Sequence, residues 1–175
     1  MSIAPGQRVS KTASSEFILT RVFDAPRAVV FKAWTEIDKL TQWWGPKGMT
    51  MKVSTLDLKP MGLFHYSMTT PDGKEMWGKF VYREITPPER LCFISSFSNA
   101  EAGKTRHPAS QTWPLEVMST VIFEEVEGKK TKVTLKGVPI KASEVELKTF
   151  SDGYDSMKTG FTGTFDQLEE YLSKK

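Results

Sequence analysis

The stretch SEVELKTFSDGYDSMKTGFTGTFDQLEEYL, Ser143 to Leu172, decides how this chain folds. Apolar side chains recur in it at Phe150, Tyr154, Met157, Phe161, Phe165, Leu168 and Leu172. Steps of three and four lay these residues along one stripe of an α-helix. Ser143, with Glu146 three residues on, has the form of a capping box and marks the start. A helix of this length spans roughly 45 Å and needs a large apolar surface against it. Gly153 and Gly160 flank the stripe, and an interior helix glycine costs about 1 kcal/mol against alanine. Two on one edge predict a close approach to the backbone there, by a strand or by a ligand.

Nearly everything before that helix reads as strand. Glu16 to Phe23 alternates and carries β-branched residues. Asp24 is placed to cap a short helix with Pro26 just inside it, and Ala28, Phe31 and Trp34 would form its buried face. Thr35 is expected to start a second short helix, with Ile37, Leu40 and Trp44 on one face and Trp43 at its edge. Gly45-Pro46 ends it. Strands then follow at 51–58, 63–70, 75–85, 91–97, 115–124 and 131–138, divided by turns such as Pro71-Asp72-Gly73 and Glu127-Gly128. The long segment from Asn99 to Thr112 is expected to be without strands. The sum is an α+β domain in which a curved, seven-stranded antiparallel sheet wraps the last helix, with two short helices after the first strand.

Strand parity assigns the faces. Phe64, Tyr66 and Met68 share one face, and His65, Ser67 and Thr69 the other. Leu115, Val117, Ser119, Val121 and Phe123 form an inward set opposed by Glu116 and Glu124. The faces of Trp77, Phe80, Phe93 and Phe97 stay open. A curved sheet and a straight helix meet well at their ends and poorly in the middle. That shape predicts a cavity lined by Tyr66, Met68, Val117, Ser119, Met157 and Phe161, of the apolar kind that holds small molecules.

The formal charge of +3 is spread along the chain, without a basic block interleaved with aromatics, so nucleic acid is not an expected partner. The single cysteine, Cys92, suits a reducing compartment, and no apolar run approaches a membrane span. A cytoplasmic protein is the expectation. Met1 to Ser14 is polar, lacks the core of a signal peptide, and reads as a tail ahead of one domain over residues 15–175. His65 and His107 share no metal-ligand spacing with each other or with a carboxylate cluster. Neither a metal nor a cofactor is expected, and no set of residues suggests catalysis. Cys92 reads as a small strand residue and His65 as a surface one.

Several motifs resemble those of the family of activators of the heat-shock-protein-90 ATPase. They are Thr20-Arg21-Val22-Phe23-Asp24-Ala25-Pro26-Arg27 with Val30-Phe31, Trp43-Trp44-Gly45-Pro46, and Pro60 to Tyr66. Pro71-Asp72-Gly73, Pro87-Pro88-Glu89-Arg90-Leu91 and Gly160 to Leu172 complete the set. The chain departs from the pattern at Met61, where paired glycines are usual, and at Phe161, where tryptophan is common. The resemblance implies the START-like, helix-grip superfamily, which includes proteins labelled polyketide cyclases. It implies a small hydrophobic ligand, with a cyclase-like enzyme or a chaperone-contacting module as alternatives.

The candidate ligand-binding residues are therefore Tyr66, Met68, Trp77, Phe93, Val117, Ser119, Met157, Gly160 and Phe161. Tyr154 and Thr164 could add hydrogen bonds. Arg21 could reach a ligand carboxylate or pair with Glu36 or another acid. Trp43 is either an anchor for a ligand or partner, or a packing residue between helix and sheet.

Overall fold

Tight turns order the sheet. Gly73 and Gly128 each hold a positive φ, 93° and 81°, at the tips of two hairpins, so the strands on either side pair antiparallel. A computed structural model describes residues 16–174; the expected tail lies outside them. Its strands are β1 (Phe17–Phe23), β2 (Thr50–Leu56), β3 (Leu63–Thr69), β4 (Glu75–Thr86), β5 (Arg90–Ser98), β6 (Lys104–Thr105), β7 (Glu116–Val126) and β8 (Lys130–Ile140). They form one eight-stranded sheet in the order β1-β8-β7-β5-β4-β3-β2, with the short β6 paired to β5 alone. Register shifts in β2 and β4 mark bulges, which bend strands and strengthen their twist. The eighth strand, β6, comes from the segment expected to have none.

That segment also corrects the reading of His65. Asn99 to Thr105 folds over the outer face of the sheet, so His65 is buried. Its Nε2–H donates to the Asn99 carbonyl at 3.1 Å, and its ring stacks on Trp77 at 4.8 Å. Lys79 Nζ, on the same face, donates to the Ala102 carbonyl at 2.7 Å.

Two short helices follow β1. In α1 (Arg27–Thr35) the capping position is Pro26 rather than Asp24. Ala28 is exposed, and the buried face is Val30, Phe31, Ala33 and Trp34, because Phe31 and Trp34 pack on Phe123 of β7. Thr35 ends this helix instead of starting the next: its hydroxyl donates back to the Phe31 carbonyl at 3.0 Å. α2 (Ile37–Trp43) is led by Glu36 and leaves Ile37 exposed.

The C-terminal stripe forms two helices, α3 (Glu144–Asp152) and α4 (Tyr154–Ser173). The capping box of Ser143 and Glu146 is present. The break falls at Gly153, where a Cβ would come within 3.0 Å of the Trp113 ring. The close approach predicted from the glycines is thus real at Gly153, but a loop side chain makes it. Met61, with φ of 69° and 70% of its surface exposed, sits in the turn between β2 and β3.

Candidate functional site

The concave face of the sheet can be followed in rows of cross-strand partners. One row runs through Tyr66, Gly78 and Phe97, the next through Phe64, Phe80, Ser95 and Val117. A third joins Tyr82, Phe93, Ser119, Gly137 and Phe17. These alternations settle the strands whose faces the sequence leaves open: Phe80 and Phe93 point inward and stack on each other at 3.9 Å.

Against one end of these rows α4 closes fully. Phe165 is buried between Phe23 and Trp34, with ring centroids 5.6 and 6.2 Å apart, and Leu168, Tyr171 and Leu172 continue the seal. Gln167 Nε2 donates to the carbonyls of Trp43 and Gly45, which fastens α4 to the end of α2. Toward the other end the helix side chains thin out, and a cavity of about 280 Å³ lies between Met157 and Phe161 of α4, Phe150 of α3 and the sheet. Its walls include Trp44, Tyr66, Met68, Met76, Phe80 and Phe93, and farther along the sheet Val117, Ser119 and Gly137. Trp113 and its neighbours Pro114 and Leu115 cover the side next to α3. That cover is tied down: Arg106 pairs with Glu146 and donates to the Trp113 carbonyl at 3.0 Å, while Thr149 donates to Thr112 at 2.8 Å.

The candidates divide accordingly. Tyr66, Met68, Phe93, Val117, Ser119, Met157 and Phe161 are brought together on the cavity wall. Trp77 reaches its edge, but its ring lies against His65 on the other face. Five stand elsewhere. Gly160 is on the outer face of α4, where a Cβ would meet nothing within 4 Å. Thr164 donates to the Gly160 carbonyl at 3.2 Å, an internal helix bond. Tyr154 donates to the Ile18 carbonyl at 3.2 Å and packs on Phe17. Arg21 pairs with Asp166 at 2.8 Å and Glu169 at 3.3 Å on the solvent side of α4. An arginine so placed finds acids on the helix one turn apart before it finds a ligand. Trp43 is buried, its indole N–H donating to the Ala33 carbonyl at 2.9 Å, so it is a packing residue.

Sequence reasoning misses Trp44, Phe80 and Trp113. Helical spacing assigns Trp44 to the buried face of α2, but its own backbone is extended at the C-cap of that helix, and its ring meets Phe80 and Phe161.

The polar atoms of the cavity are few. Burial pushes the Tyr66 hydroxyl up to about 12, and the neighbouring Trp44 indole offsets part of that rise. The indole nevertheless completes no hydrogen bond of good geometry, so its buried Nε1–H is left without a partner. Gly78 makes room for the phenol, since a Cβ there would fall 2.7 Å from the Tyr66 oxygen. Ser95 Oγ is engaged by the Val117 carbonyl at 3.4 Å. No His, Asp or Glu is among the described residues that line the space, and no described group of His, Cys, Asp or Glu could hold a metal. No described helix is long and apolar enough to cross a membrane.

A long helix gripped by a curved antiparallel sheet is shared with known proteins. The family model of the activator of Hsp90 ATPase homolog 1-like proteins matches residues 24–173. The chain belongs to that family. Among solved structures of the helix-grip fold, a protein of Arthrobacter aurescens is 23% identical with a TM-score of 0.77, covering 94% of this chain and 89% of its own. One of Mycobacterium smegmatis is 22% identical with a TM-score of 0.72, covering 92% of both chains. One of Staphylococcus epidermidis is 24% identical with a TM-score of 0.72, covering 91% and 90%. At these identities the likeness shows the fold alone. Among curated proteins none is significantly similar in sequence.

Proposed function

We propose that this family member binds a small apolar or amphipathic molecule in the cavity between the sheet and α4. The observation that carries this reading is the space itself: about 280 Å³ stays open beneath Met157 and Phe161, although the same helix packs without a gap around Phe165. The wall of that space is mostly aromatic and thioether. Such a surface releases water readily to an apolar guest. Absence of a carboxylate or imidazole from the described lining favours holding a ligand over acid–base chemistry on it.

An environment-sensitive apolar dye is expected to bind the native protein saturably, at one dye per chain, and a polycyclic aromatic is expected to displace it. Native mass spectrometry of protein taken from its host should show a retained small molecule. A protein that keeps its circular dichroism but shows neither saturable dye binding nor a retained mass would refute the reading.

A further inference from the structure

The cavity wall is mostly apolar, with the serines Ser95 and Ser119 on the sheet, and one corner of it is unbalanced. Tyr66 carries a hydroxyl and Trp44 an indole N–H, side by side: the buried indole N–H has no hydrogen-bond partner, and the group that bears on the hydroxyl is that indole, itself a donor. A buried donor left unsatisfied is destabilising unless something supplies an acceptor. Trp34 also has an unpartnered indole N–H, but it does not border the cavity, so no guest can complete it. At Trp44 one can. Gly78 adds to the case, because the strand opposite Tyr66 gives up its side chain where the phenol oxygen stands.

Charge is missing from the same wall. Among the described residues Lys136 is the only charged one along it, and alternation with the inward Leu135 and Gly137 turns its side chain to the outer face, beside the exposed Ile18. A carboxylate or ammonium entering here would lose its hydration without gaining a counter-charge, which is prohibitively costly.

Resting on the ligand-binding reading above, we infer that the ligand is uncharged and carries a carbonyl or ether oxygen on an apolar frame, and that this oxygen accepts the Tyr66 hydroxyl proton. The Trp44 indole N–H, beside the phenol and without a partner of its own, donates to the same ligand oxygen. The remaining contacts are the rings of Phe80 and Phe93 and the thioethers of Met68 and Met157, which accept an aromatic frame as readily as an aliphatic one.

Three probes of nearly one shape test this: 2-acetylnaphthalene, its hydrocarbon isostere 2-isopropenylnaphthalene, and the 2-naphthoate anion, each titrated at neutral pH. The ketone is expected to bind about tenfold tighter than the hydrocarbon, as one buried hydrogen bond allows, and the anion weakest of all. In Tyr66→Phe the ketone should fall to the level of the hydrocarbon, whose own affinity stays as in the wild type. Trp44→Phe should narrow the ratio less. Equal affinity for ketone and hydrocarbon in the wild type overturns the inference while leaving a binding cavity in place. So does a ratio that survives Tyr66→Phe, and so does tightest binding of the anion. If none of the three binds saturably while the apolar dye does, this inference falls and the ligand-binding reading stands; if the dye fails as well, both fall.

Discussion

Phe161 and Phe165 stand one turn apart on α4, and the sheet treats them differently. Phe165 is wholly buried among Phe23, Trp34, Leu168 and their neighbours, whereas Phe161 borders open space. The half of the helix around Phe165 also receives α1 and α2 from the side, so three layers close on it. The half around Phe161 meets the curved sheet, with Trp44 from the end of α2 beside it and Trp113 as a cover. Tight packing and open space are thereby assigned to different residues of one helix.

Truncation gives the largest test of that division. Phe165→Ala is expected to cost about 3–5 kcal/mol, the usual loss on removing a packed ring, read from denaturant or thermal unfolding. Met157→Ala should cost well under the roughly 2–5 kcal/mol of a packed methionine, because its side chain already faces a void, while dye affinity changes several-fold. Equal losses at the two positions would erase the distinction between the halves.

Alkaline pH probes the open half next. Burial raises the Tyr66 hydroxyl to about 12 and raises Tyr82 as well. The folded protein therefore keeps protons that the unfolded chain gives up near pH ~10. Stability from this source is fully present below that pH and is lost as pH climbs toward about 12. Tyr66→Phe should flatten part of the decline in unfolding curves taken between about pH 9 and 11.5, and an unchanged slope would place Tyr66 in a better hydrated setting than the cavity wall.

The two helix glycines give the smallest and sharpest contrast. Gly160→Ala, on the open outer face, should stabilise by about 1 kcal/mol through helix propensity and leave dye binding as it was. Gly153→Ala lies at the break between α3 and α4, where the interior propensity gain does not apply, and its Cβ would press on Trp113 at 3.0 Å. It should show no gain in melting temperature and an altered dye affinity. If both variants behaved alike, Trp113 would not be seated against the helix break.

Much of this is legible in the sequence. The stripe of the last helix, its capping box, and the inward sets of β3 and β7 follow from periodicity, which records which face of an element is buried. Periodicity does not record what covers the opposite face. His65 reads as exposed because its covering segment, Asn99 to Thr105, lies more than thirty residues on and pairs through β6. Nor does a stripe reveal a break caused by a distant ring: Gly153 and Gly160 look alike along the chain, and only Trp113 separates them. Parity and angle alone draw Arg21 and Thr164 into the candidate site, and local partners, Asp166 and the Gly160 carbonyl, claim them first. The cavity residues that periodicity does find all sit on strands or the helix. Trp113 lies in a loop and carries no period to be read, and Trp44, which the period assigns to a face of α2, stands at that helix's C-cap.

The Gln167 amide bridging the carbonyls of Trp43 and Gly45 has a consequence for how guests of different outline can be received. An α-helix gripped only by greasy contacts could roll about its axis, and a roll of a few degrees would carry Met157 and Phe161 across the cavity together. An amide that donates to two carbonyls fixes the azimuth, so the backbone of α4 cannot answer a new guest. The answer must come from torsions. Met68, Met76 and Met157 border the space, and each unbranched thioether has three rotatable bonds with shallow preferences. If the cavity takes a guest as proposed, its shape would be met by methionine rotamers inside a frame of fixed orientation, so that guests of one bulk and many outlines would fit alike.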